Sequence, residues 1–192
     1  MTAQPPRKPD WEALYGVASA HSGLFLASDA AEKGFSTALL SKHVRSGKLL
    51  HIQRGIYRLA QFPPGEQEDL VAAWLWSHRE GVFSHETALS LHGLSDVLPA
   101  RAHLTLPLAW KRRRVSPPQG IVLHWAEVGP QDRSWAGGVP VTSALRTIGD
   151  CVEAHVPREF INAAINQSLE RGLTSEAELK HLANTIAGRD PQ

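Results

Sequence analysis

Between Lys33 and Ala60 the chain carries six basic side chains (Lys33, Lys42, Arg45, Lys48, Arg54 and Arg58) and no acid, although its 192 residues sum to a formal net charge of only +1. The chemistry available to such a block is electrostatic. Clustered cations attract a polyanion, and a phosphate backbone is the commonest one. Hydrogen-bonding groups accompany the charges. Ser36 and Thr37 stand at the start of a predicted helix, where free backbone N–H groups favour a phosphate. Ser41, Lys42 and Arg45 follow at outward positions of that helix, and Lys48, His51, Gln53, Arg54 and Arg58 lie in the strand-like stretch behind it. Lys and Arg can pair with guanine edges or with phosphates, so these ten residues are the candidate DNA-binding set.

A second basic run, Lys111-Arg112-Arg113-Arg114 with Arg101 ahead of it, reads either as a second phosphate-contact patch or as a solvated hairpin tip. Other chemistry has weaker support. His85, His92, His103 and His124 supply imidazoles, but no HxxxH or HExxH spacing occurs and Cys151 is the only cysteine. No metal site and no cofactor are expected on that basis. His92-Gly93 reads as a helix end, with the imidazole on a terminal carbonyl. Glu178-Leu179-Lys180 matches half of a nuclease motif, with Asp150 as its upstream acid. The segment around it nevertheless has the pattern of a capped amphipathic helix. Neither a GxSxG elbow nor a glycine-rich phosphate loop is present. The residues therefore predict a binding protein rather than an enzyme.

The elements that must position these groups follow from caps, breakers and periodicity. Residues 1–9 read as a disordered leader. Asp10 caps a helix over 11–20, a short strand covers 24–26, and a second helix runs from Ser28 or Asp29 to Gly34. Ser36 caps a third helix over 37–46 that stops at Gly47, with Leu40 and Val44 facing the core. Two strands then meet at Arg54-Gly55, a tight turn. Residues 61–65 form a linker. Helices are predicted over 66–77, 85–91, 143–153, 157–171 and 175–186, with strands over 102–107 and 121–128 and a loop at 137–140. The order helix, helix, helix, hairpin describes a winged helix-turn-helix. The expected fold is α+β, with a winged helix-turn-helix over 10–60 and a small mixed α+β domain over 66–187.

Charge and hydropathy narrow the class further. A net charge of +1 excludes a uniformly basic nucleic-acid binder, and 42% hydrophobic residues suffice for a packed core. No run of 18 apolar residues occurs, and MTAQPPRKPDW has no apolar segment of a secretory signal, so a soluble cytoplasmic protein is expected, with no membrane partner.

Four segments together carry a resemblance to a known family. GFSTALLSKHVRSGKLLHIQRGIYRL, GVFSHETALSLHGLSDVLP, HLTLP and GVPVTSALRTIGD resemble the AbiEi-type antitoxins of bacterial type IV toxin–antitoxin systems, over about residues 10–150. The resemblance implies an operator-binding domain that represses its own operon. It also implies a C-terminal part that opposes a nucleotidyltransferase-like toxin. By position, Lys42, Arg45, Gln53, Arg54 and Arg58 match the family's DNA-facing element. The partners implied are double-stranded operator DNA, on which copies of the chain can pair, and a cognate toxin. Two other readings stay open at this point: a protein-interaction module built on the winged helix, and a metal-dependent DNA-cleaving enzyme.

Overall fold

The computed structural model describes residues 8–188, so most of the leader expected over 1–9 lies outside the described residues. The fold is α+β. The chain divides into two compact units between Arg79 and Glu80.

The first unit runs α1 (Trp11–Ser19), β1 (Leu24–Leu26), α2 (Ala27–Glu32), α3 (Thr37–Arg45), β2 (Leu49–Gln53), β3 (Ile56–Leu59) and α4 (Glu68–Trp76). Local chemistry sets these boundaries. Asp10 accepts from the Ala13 N–H and starts α1, and Ser36 does the same for α3 through the Leu39 N–H at 3.3 Å. Gly55, at φ +76°, allows the turn between β2 and β3. The three strands form an antiparallel sheet in the order β1-β3-β2. Leu14 and Ala18 of α1, Phe25, Ala30, Phe35, Leu40 of α3, Leu49 and Leu59 form one buried core.

Helix α4 is where the structure departs from the sequence boundaries. Its place was expected in the domain over 66–187, yet it packs against β1 and β3. Val71, Ala72, Ala73, Trp74 and Leu75 are all buried, so this helix has little polar surface and needs a sheet to lie on. Polar ties fix it there. Glu68 is ion-paired with Arg58 of β3, and the Gln53 amide of β2 donates to the Ala72 carbonyl at 3.3 Å. Just beyond α4, Arg79 binds both carboxylate oxygens of Asp29, at 3.1 and 2.6 Å. Burial opposes ionisation of Asp29, but the Arg79 hydrogen bonds outweigh it and hold its pKa below the ordinary value.

The second unit runs β4 (Val82–Phe83), α5 (His85–His92), β5 (Ala102–Leu106), β6 (Ile121–Trp125), β7 (Arg133–Ala136), β8 (Val139–Thr142), α6 (Ala144–Glu153), α7 (Arg158–Glu170) and α8 (Glu176–Ala187), with a 3₁₀ turn at Leu108–Arg112. Its mixed sheet has the order β6-β5-β4-β8-β7. Leu89, Leu94, Ile148, Cys151 and Ala164 are among the buried residues of the helical core. The loop expected at 137–140 shrinks to its two glycines. Val139 onward is a fully buried strand, paired with β4 and β7. Pro140 hides it from a pattern reading, because proline lacks the ladder N–H. Strands β5 and β6 are parallel, so the basic run at 111–114 lies in a crossover, not at a hairpin tip. Among the described residues, no helix is long and apolar enough to cross a membrane.

Two substitutions test the packing of the first unit. Gly23 sits at φ +87°, and a Cβ there would lie 2.4 Å from the Phe62 Cβ. Gly23→Ala is expected to lower the unfolding free energy by about 2–4 kcal/mol in a denaturant titration. Arg58→Ala leaves the Glu68 carboxylate without its cation and is expected to cost about 3 kcal/mol. Equal stability of either variant with the wild type would contradict the packing described.

Candidate nucleic-acid interface

Helix α3 presents two faces because Leu40 is buried and Leu39 and Val44 are half-buried against the core. The opposite face must then meet solvent. Ser36, Thr37, Ser41, Lys42 and Arg45 are all exposed there. The Ser41 hydroxyl donates to the Thr37 carbonyl at 3.0 Å, which leaves its oxygen as an acceptor. On the adjoining hairpin, His51 and Arg54 are exposed. Arg54 occupies the turn at its tip. A groove of about 400 Å³ between helix and hairpin is lined by Ser41, Val44, Arg45, His51 and Tyr57. The His51 and Tyr57 rings lie side by side across the β2–β3 pair, with centroids 5.2 Å apart.

Burial, and then the charges of Lys48 and Lys42, lower the pKa of His43.

Three of the ten candidates are placed elsewhere. Arg58 is 8% exposed and is held by Glu68, so its charge is neutralised inside the unit. Gln53 is half-buried, with its amide turned to α4. Both belong to the scaffold rather than to a ligand-facing surface. Alternation along β2 and β3 could not reveal this, because the partners on α4 lie 10 and 19 residues away in sequence. Lys48 is exposed but lines a different groove, of about 520 Å³, with Trp11, Tyr15, Leu59, Ala60 and Gln61.

In the second unit, Lys111, Arg112, Arg113 and Arg114 are all exposed. The Arg113 guanidinium lies 4.5 Å from the Trp110 ring centroid, a cation–π contact that holds it against the protein. Arg101 is exposed just before β5, whereas the run follows that strand's other end. Arg146 is structural, bonded to Asp150 at 2.8 Å and Asp132 at 3.4 Å. Glu178, in the half-motif, closes a capping box with Ser175 at the start of α8. Cys151 is completely buried. Burial, with Asp150 and Glu86 near, pushes its thiol up to about 12, which makes it a poor nucleophile.

The histidines regroup. His92 does not share a site with His85; it bonds the Thr142 carbonyl of β8 at 2.7 Å instead of a terminal carbonyl of its own helix. His85 meets His103 and His124, and one nitrogen from each ring lies within 4.8 Å of those of the other two. His85 opens α5 at φ +53°. His103 and His124 sit two registers apart on the parallel pair β5–β6. Burial, then the neighbouring imidazoles, lower His85 to about 3 and His124 to about 4. His103 is also lowered, by burial, with Glu86 opposing. The spacing rules that find metal sites on one helix miss this group, since its members come from three elements.

Comparison with known proteins bears on the first unit. Residues 12–60 match the model of a family described as a transcriptional regulator, AbiEi antitoxin. The segments beyond residue 80 that carried part of the resemblance lie outside that match. No curated protein matches the chain. Among solved structures, the crystal structure of the RV2827C protein from Mycobacterium tuberculosis is similar, with a TM-score of 0.55 and 15% identity. The alignment covers 98% of this chain and 76% of that one. At that identity the likeness shows the fold alone. From α1 through the β2–β3 hairpin, over residues 12–60, the chain is similar to the AbiEi antitoxin family of transcriptional regulators.

Proposed function

We propose that the chain is a DNA-binding transcriptional repressor whose first unit works as a winged helix-turn-helix. In this reading α3 enters the major groove and the β2–β3 hairpin lies along the backbone. The observation that carries it is the groove that Ser41 and Arg45 of α3 share with His51 of the hairpin, with Lys42 and Arg54 exposed on the same two elements. Arg58 and Arg79 of the same unit are tied to acids, so the unit separates structural cations from ligand-facing ones. Lys42 and Arg45 are placed to read base edges or hold phosphates, and Arg54 at the turn suits a narrow minor groove. Ser36 and Thr37 offer a helix N-terminus to a phosphate. One helix with one hairpin reads a short site, so two copies pairing on an inverted repeat fits this reading. The family match at residues 12–60 supports regulation of the chain's own operon, without catalysis.

The same match supports an antitoxin role against a nucleotidyltransferase-like toxin. Relief of growth arrest when this chain is co-expressed with such a toxin, encoded beside it, tests that role. Persistent arrest would overturn it.

Fluorescence anisotropy tests the DNA reading directly. The full chain should bind duplex DNA from upstream of its own reading frame more tightly than scrambled DNA. Affinity should fall as salt rises. Lys42→Ala and Arg54→Ala are each expected to weaken binding and to reduce the slope of log K against log salt by about 0.9 where a phosphate contact is lost. Gln53→Ala should leave that slope unchanged. No binding, or identical slopes for all variants, would leave the interaction-module reading in place of the repressor.

A further inference from the structure

We propose that His85, His103 and His124 form a binding site for a divalent transition-metal cation, zinc in the first instance, in the second unit. The proposal is independent of the DNA reading, since none of its residues lies in the first unit. Three imidazole ligands with one remaining position are a recurrent zinc set, with Zn–N bonds of about 2.0–2.1 Å. A tetrahedral set of that size places its nitrogens about 3.3 Å apart. His124 Nε2 and His103 Nδ1 are already 3.1 Å apart, and a nitrogen of His85 lies within 4.8 Å of the pair. The His85 and His124 rings are stacked at 3.8 Å. Ligation needs His85 to tilt off that stack, a rotation about its soft terminal torsion.

The surroundings are those of a metal site rather than of a core. Metal-bound histidines usually give their second nitrogen to an oxygen that fixes the ring. His103 Nε2 faces the Glu86 carboxylate at 3.5 Å, which leaves Nδ1 for the cluster. His85 Nδ1 is 2.8 Å from the Ser84 hydroxyl. That hydroxyl is bonded in turn to Thr105 at 2.7 Å, both residues being buried. Two of the three rings are thus oriented from behind. His85 also adopts a left-handed backbone conformation, φ +53°, which costs energy in a non-glycine residue and tends to persist where a side chain has a task. All three rings are half-buried, so an ion could enter from solvent.

Metal-stripped full-length protein, titrated with zinc against a chromophoric chelator, tests the assignment. One equivalent should bind, with a rise in the thermal midpoint. Cobalt in its place should give the ligand-field absorption of a low-coordinate nitrogen site. His124→Gln should weaken zinc binding at least tenfold and abolish the cobalt spectrum, and Glu86→Gln should weaken it about tenfold through His103. His155→Ala, an exposed histidine outside the cluster, should change nothing. Should His124→Gln fail to fold, Glu86→Gln gives the same reading from a residue that is not itself a ligand. No zinc uptake by the wild type, or uptake that these substitutions leave unchanged, would overturn the site.

Discussion

Burial of Leu40 sets the azimuth of α3, and which of its faces stays exposed follows from that single constraint. A helix of this length has one stripe of side chains to bury. With Leu40 in the core, and Leu39 and Val44 flanking it, rotation of even one residue step would push a leucine into water and a serine or lysine inward. The apolar contact holds Ser41, Lys42 and Arg45 outward without any polar interaction of its own. A positive face thus arises from hydrophobic packing, which is non-directional in energy but strict about which side of the helix is used.

The hairpin is held by different means. Its strand β3 lies between β1 and β2, so its backbone is fully laddered, and α4 closes over it. The Arg58–Glu68 pair joins β3 to α4 at a place where both side chains are largely shielded. An ion pair so placed contributes orientation more than net stability, because desolvation offsets much of the attraction. It also removes a cation from the surface. In this unit, basic residues therefore divide by burial into those that position the hairpin and those that can meet a ligand, and the division cannot be inferred from charge alone.

This explains which parts of the molecule were legible in the sequence. Elements with local signals were clear: Ser36 and Gly47 bracket α3, Ser143 starts α6, and Ser175 with Glu178 announces α8. Each signal acts within a few residues, so the chain itself displays it. Arg58, Gln53 and α4 were misplaced because their partners are remote. Strand β8 was concealed by Pro140, and β4 is only two residues long. The candidate surface was legible where helix periodicity governs it, at Ser41, Lys42 and Arg45. It was illegible on the hairpin, where a third layer decides which face is covered.

The histidine group shows the same limit from the other side. His103 and His124 meet because β5 and β6 run parallel and in register, with Thr105 opposite His124. His85 joins them because α5 begins where β4 ends and is tied to β5 through the Thr87 hydroxyl, which accepts from the His103 N–H at 2.8 Å. Parallel neighbours need a crossover between them, so residues 107–120 separate the two strand histidines in sequence while the sheet brings them together. Burial disfavours the charged form of all three rings, and the neighbouring imidazoles add to this for His85 and His124. Apolar side chains would fill the same space at less cost in desolvation. Three polar rings, two of them oriented by Glu86 and Ser84, are the arrangement expected where the lone pairs themselves are used.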